Sequence, residues 1–96
     1  MIISIDFDDT FTADTKMWTE IIHLMQAHGH TVICVSARRN TMDHRIELED
    51  ALPKGVKVLL SYDEPKRDFA LRNNYVVDIW IDDFPDAIVS EYRHGN

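Results

Sequence analysis

A small set of polar side chains in this sequence could do chemistry together. Asp6, Asp8 and Asp9 stand where the apolar run IISIDF ends, and Asp82 and Asp83 close a second run, VVDIWI. Ser36 ends a third, TVICV, and Lys66 follows Pro65 in DEPKRD. Carboxylates gathered at one edge repel each other unless a cation joins them. Hard divalent cations take oxygen ligands, and Mg2+ typically combines one or two carboxylates with waters and a phosphate. The acids therefore imply a metal, and Mg2+ would bring a phosphate with it. Ser36 can donate one hydrogen bond to a phosphoryl oxygen. Lys66 at a helix N-terminus adds a full charge to the positive end of the helix dipole. Metal on one side, with lysine, hydroxyl and backbone N–H on the other, forms a cage for a transferring phosphoryl group.

The elements that must position these groups alternate. Ile2–Phe7, Thr31–Val35, Val56–Leu60 and Val76–Ile81 are short apolar runs rich in β-branched residues, the mark of strands buried on both faces. Between the first two, Trp18, Ile21, Ile22 and Met25 follow helical spacing, with Asp14 or Thr15 as cap and Gly29 as stop. Asn40–Leu52 reads as a second helix ended by PKG at 53–55. A third starts near Asp63 or Glu64, with Pro65 in its first turn, and runs to Asn73–Asn74. Pro85–Tyr92 reads as a short last helix. Repeated β–α units predict an α/β fold: a three-layer, Rossmann-like, mostly parallel sheet of about four strands with helices on both faces. Sites in such sheets lie beyond the C-terminal strand ends. That is where Asp6, Asp8, Ser36, Asp82 and Asp83 fall, with Lys66 at the helix start after the third strand.

Length and composition set the outer bounds. The chain has 96 residues, which predicts a single domain over 1–96. Its net charge of -7 gives no general attraction to phosphate backbones or anionic membranes, so non-specific nucleic-acid binding is not expected. Cys34 is the only cysteine and lies within an apolar run, as a buried small hydrophobe would. With no basic-flanked secretory stretch and no membrane-length apolar segment, a cytoplasmic protein is expected. The histidines at 23, 28, 30, 44 and 94 lack metal-ligand spacing beside acids and read as structural or surface residues, and Trp18 and Trp80 as packing residues.

DFDDT, Asp6–Thr10, resembles the D-x-D-x-T motif of the haloacid dehalogenase-like phosphohydrolases. Ser36 in VICVSAR, Lys66, and Asp82–Asp83 in DIWIDDFPD match that family's other three stations in order, so the resemblance spans nearly the whole chain. It implies a Mg2+-dependent phosphatase working through an aspartyl-phosphate. Asp6 would be the nucleophile. Asp8 would protonate the leaving oxygen and then take a proton from water. Ser36 and Lys66 would hold the phosphoryl group, with Thr10 beside it chiefly supporting the loop. Asp6, the backbone carbonyl of Asp8, Asp82 and Asp83 would bind the metal. Neighbouring negative charge should raise the pKa of Asp8, whose side chain stays free to exchange a proton. Arg38 and Arg39, on the loop after Ser36, are candidate substrate contacts.

This sequence departs from the family pattern in places. Asp9 stands where the family often has glycine, and Ser36 replaces a commoner threonine. No segment is long enough for a cap, so this would be a capless member with an open site. An open site suits a macromolecular substrate or a lid from a partner subunit, and an oligomer is compatible with it. Three other functions compete: a catalytically silent binding module on the same fold, a phosphatase specific for nucleotides or nucleic-acid ends, and a receiver-type signalling domain. In a receiver the phosphoacceptor ends the third strand, whereas here that strand ends in LLSYDEP.

Overall fold

A computed structural model of the chain describes residues 1–90. The strands are β1 (Ile2–Ile5), β2 (Thr31–Ser36), β3 (Lys57–Leu60) and β4 (Ile79–Ile81). The helices are α1 (Thr15–Ala27), α2 (Met42–Ala51), α3 (Lys66–Arg72) and the short α4 (Asp86–Val89), with a 3-10 turn at Phe11–Ala13 before α1. The sheet is wholly parallel in the order β3-β2-β1-β4. The expected α/β architecture is therefore present, with no cap among the described residues. No helix among the described residues is long and apolar enough to cross a membrane.

Packing explains the order of layers. On one face Ile5, Phe7, Val32, Cys34, Val58 and Leu60 meet Ile22 of α1 and Leu48 of α2, with Trp18 and Met25 packed alongside. On the other, Ile33, Val35 and Leu59 meet Ala70 of α3, flanked by Phe69, Tyr75 and Trp80. Strands covered on both faces must be apolar at every position, which is why they read as unbroken runs. Cys34 is fully buried, and burial, the largest influence, pushes its thiol pKa far above the ordinary value.

The ends of the elements follow local chemistry. The side chain of Asp14 accepts a hydrogen bond from the Met17 N–H at 3.1 Å and caps α1. Gly29 follows that helix at φ 86°, a left-handed turn that costs glycine nothing. α2 starts two residues later than its sequence pattern suggests, because Thr41 caps it by accepting from the His44 N–H. Pro65 is the residue before α3, so Lys66 opens the helix.

Three strands are shorter than their apolar runs, β3 by Val56 alone and β1 and β4 by more. β1 stops at Ile5, before the loop that carries Asp6 and Asp8. β4 holds only three residues: ahead of it the Asp78 carboxylate accepts from the Ile2 N–H at 2.8 Å, while the Asp78 N–H donates to the Ile2 carbonyl at 2.8 Å. A side chain there takes the place of a ladder bond, and Val76–Val77 lie outside the strand. Tyr92, expected to end the last helix, and His94 lie outside the described residues.

Register sets the site. Ile5 pairs with Ile81, and the next step of the ladder is the Asp6 N–H donating to the Ile81 carbonyl at 2.8 Å. Asp6 and Asp82 therefore leave adjacent strands side by side. The chain steps outward from β1 to β2 to β3, then returns to the far side of β1 for β4. That reversal opens a crevice between β1 and β4, the usual ligand position in a doubly wound sheet.

Candidate active site

At the crevice Lys66 reaches across from α3. Its Nζ donates to Asp6 Oδ1 at 2.9 Å and to Asp82 Oδ2 at 2.6 Å. The lysine side chain is only 3% exposed, so this is a dry ion triad rather than a surface contact. Asp82 is fixed on its other oxygen by the Phe84 N–H, which donates to Oδ1 at 2.9 Å. Thr10 joins the two strand-end loops. Its hydroxyl lies 3.3 Å from Asp6 Oδ2 and 3.2 Å from Asp83 Oδ1, and it accepts from the Asp83 N–H at 3.2 Å. One hydroxyl proton serves only one of those carboxylates at a time. Thr10 thus faces acids, as a loop-supporting residue would, rather than a phosphate position.

Burial decides the electrostatics. Loss of water is the largest influence on Asp6 and pushes its carboxyl up to about 7 from 3.8. The charge of Lys66 opposes that shift, while the hydrogen bond with Asp83 and the charge of Asp82 add to it. Burial also works against the Lys66 ammonium, but Asp6 and Asp82 together outweigh it and hold its pKa above the ordinary value. One ammonium cannot neutralise three carboxylates. Asp6, Asp82 and Asp83 each place an oxygen within 4.8 Å of the others, an all-oxygen, under-compensated set. That donor chemistry fits a hard divalent cation such as Mg2+ and does not by itself select Mg2+.

Asp8 is placed differently from the expectation. Its carboxylate does not stand among the acids and is not loose. Arg38 grips it from both sides, with Nε donating to Oδ2 at 2.9 Å and Nη2 to Oδ1 at 2.8 Å. The nearest charge to Asp8 is therefore positive, and the premise that negative neighbours surround it is corrected. Arg38 Nη1 donates to Glu47 Oε1 of α2 at 2.7 Å, and the guanidinium lies 5.3 Å from the centre of the Phe7 ring. These pairings raise the Arg38 pKa, and the hydrogen bond from Arg38 lowers that of Glu47.

Ser36 ends β2 as expected and is buried. Its Oγ accepts from the Arg38 N–H at 3.2 Å, and no hydrogen bond among the described residues joins it to Lys66 or the acids. Arg39 leans over Tyr62, 4.9 Å from the ring centre, and donates from Nη2 to the Tyr62 hydroxyl at 2.9 Å. Of the residues singled out in sequence, the fold gathers Asp6, Thr10, Lys66, Asp82 and Asp83 into one cluster. It sets Asp8, Ser36 and Arg38 beside it in a second group.

Asp9 finds its explanation in the backbone. Its φ is 62°, left-handed, and its N–H donates to the Thr12 hydroxyl at 3.0 Å. Glycine suits such a position, and aspartate is among the few other residues that adopt it readily.

Sequence reasoning missed Glu47, Ser61 and Tyr62. Ser61 follows β3, and its Oγ donates to the Ser36 carbonyl at 3.2 Å, so the strand-end rule could have found it. Tyr62 has φ 57°, unusual for an aromatic residue and invisible in the sequence. Glu47 carries no signal beyond lying on α2. No family model, curated protein or solved structure matches the chain.

Proposed function

We propose that this protein is a Mg2+-dependent phosphohydrolase that cleaves a phosphomonoester through an aspartyl-phosphate on Asp6, in the manner of the haloacid dehalogenase-like family. One observation carries the proposal: the ladder step after Ile5–Ile81 puts Asp6, Asp82 and Asp83 together at the strand ends, with Lys66 bridging two of them. Asp6, Asp82 and Asp83 would hold the Mg2+, with the Asp8 carbonyl as the fourth protein ligand that the family resemblance suggests. Bound there, the metal would supply charge that keeps Asp6 ionised and would stabilise phosphoryl oxygens.

The chain's own residues carry the rest. An Asp6 carboxylate oxygen forms a bond to phosphorus as the bond to the leaving oxygen breaks. Asp8 gives its proton to that oxygen, then takes one from the water that attacks the aspartyl-phosphate and frees Asp6. Each Asp8 oxygen accepts one guanidinium N–H, which leaves a further lone pair for the proton. Lys66 balances charge on the transferring group, and Ser36 lines the same edge. With no cap over the crevice, the substrate is a phosphorylated molecule large enough to bring its own cover, a macromolecule included, or a nucleotide or nucleic-acid end. The acidic chain is expected to act in the cytoplasm, without membrane or non-specific nucleic-acid binding.

A second function is favoured by one feature: Lys66 already neutralises part of the cluster without a metal, as a silent binding module would arrange it. Turnover separates the two. The purified protein is assayed on p-nitrophenyl phosphate and a panel of phosphorylated metabolites, with Mg2+ or EDTA, beside Asp6→Asn. The hydrolase shows Mg2+-dependent turnover that Asp6→Asn abolishes. Turnover indifferent to Asp6→Asn sinks the nucleophile assignment, and none on any substrate favours the binding module.

A further inference from the structure

We propose that Arg38 is the positioning residue for Asp8, and that Glu47 of α2 holds Arg38 in place for that task. The inference rests on the proposed hydrolase function and assigns the control of its proton carrier. Four partner residues fix Arg38. Its backbone N–H donates to Ser36 Oγ at 3.2 Å, which roots the residue at the end of β2. Its guanidinium face lies over buried Phe7 at 5.3 Å. Two N–H groups form a fork on Asp8 at 2.9 and 2.8 Å, and the remaining corner meets Glu47 at 2.7 Å. A fork of parallel bonds sets the plane of a carboxylate as well as its distance, which a point charge such as lysine cannot do.

That plane matters because of what lies next to it. Asp8 is two residues from Asp6, yet its carboxylate is absent from the group of oxygens lying within 4.8 Å of one another. Without Arg38 the Asp8 carboxylate would be free to turn toward the acids that would hold a metal and could become one more ligand. There it could not pass a proton to a leaving oxygen. Arg38 holds it in a fork of its own, apart from the three-acid group, and leaves lone pairs for the proton. Glu47 sits on a ten-residue helix whose start is capped by Thr41, so the far anchor of the guanidinium is itself supported.

The test exploits leaving groups. Nitrophenolate departs with little help from an acid, whereas an alkoxide needs a proton. Arg38→Lys, Glu47→Ala and Glu47→Gln are assayed on p-nitrophenyl phosphate and on propyl phosphate at saturating Mg2+, with folding checked by thermal unfolding. Misplacing the proton carrier lowers kcat on propyl phosphate by about 10- to 100-fold in Arg38→Lys, and by less than about threefold on p-nitrophenyl phosphate. Glu47→Ala shifts both in the same direction by less. Glu47→Gln keeps an acceptor and falls between Ala and wild type. Should Arg38→Lys not fold, the two Glu47 variants decide the matter. Equal losses on both substrates, or a raised KM with kcat intact, overturn the inference. If wild type is active and Asp6-dependent, such a result overturns this inference alone. If wild type hydrolyses neither substrate, or Asp6→Asn changes nothing, the proposed function falls and takes the inference with it.

Discussion

Two groups of charges share the C-terminal edge of the sheet, and they solve the same problem in opposite ways. Around β1 and β4, Asp6 and Asp82 meet Lys66, whose side chain is 3% exposed, with Asp83 close by on Thr10. Beside them, Asp8 and Glu47 meet Arg38, with side-chain exposures of 49%, 55% and 22%. The bond lengths are nearly equal, between 2.6 and 2.9 Å in both groups. Burial separates them. Water screens the second group, so its geometry orients side chains while its energy counts for little. In the first group Lys66, Asp6 and Asp82 have lost most of their water while Asp83 stays exposed, so an unmatched charge on the buried pair is costly. Distance alone would have ranked the two as equals.

The contrast can be broken or sharpened by experiment, starting with the largest effect. Lys66→Met leaves Asp6 and Asp82 buried without their cation. Unfolding free energy at pH 8 should fall by about 3–5 kcal/mol, read from denaturant melts. The loss should shrink at pH 5, where Asp6 carries a proton. An effect below about 1 kcal/mol at pH 8 would mean that the cluster is wetter than its burial indicates.

The metal comes next. In EDTA, the Asp6 carboxyl is raised to about 7 from 3.8 by burial first. A raised acid contributes stability that is complete below about 4 and is lost as pH climbs through about 7. The metal-free protein should therefore lose this contribution between those limits. Mg2+ at about a hundred times its Kd should restore about 2.7 kcal/mol. The Tm gap between Mg2+ and EDTA should widen from pH 5 to pH 8, since the ligand must be ionised. A gap independent of pH would take Asp6 out of the metal site.

Smaller effects test the loop and the exposed group. Asp9→Ala forces a β-carbon into a left-handed turn without the local help of an aspartate, and should cost about 1 kcal/mol in thermal or denaturant unfolding. Asp9→Gly should fall within about 0.5 kcal/mol of wild type, because glycine gains freedom in the unfolded chain as it loses strain. Glu47→Ala should leave the denaturant midpoint close to that of wild type, as the loss of an exposed ion pair does. A larger loss there would erase the distinction between the two groups.

Much of this is legible in the sequence. Continuous apolar runs can be buried only if both faces are covered, so the parallel sheet and its two helical layers follow from composition along the chain. The strand-end rule then placed Asp6, Ser36, Asp82 and Asp83 on one edge. The boundaries were harder. β4 lost Val76 and Val77 because the Asp78 side chain took over a backbone partner, and hydropathy does not record such a substitution. Glu47 was missed for a related reason: one acid on a helix resembles every other until the helix is docked.

What the sequence determined by itself, then, was which residues could reach the edge. Period, branching and caps are local properties, and they place Asp6 and Asp82 at strand ends whatever the rest of the chain does. Only the tertiary structure decided how the charges divide. β4 lies beside β1 and not beside β3, so Asp82 meets Asp6. α3 docks where Lys66 bridges that pair. α2 docks where Glu47 reaches Arg38, and Asp8 is drawn to the arginine and away from the other acids. Charge interaction depends on distance and on access of water, and both are set by packing between elements far apart in the chain.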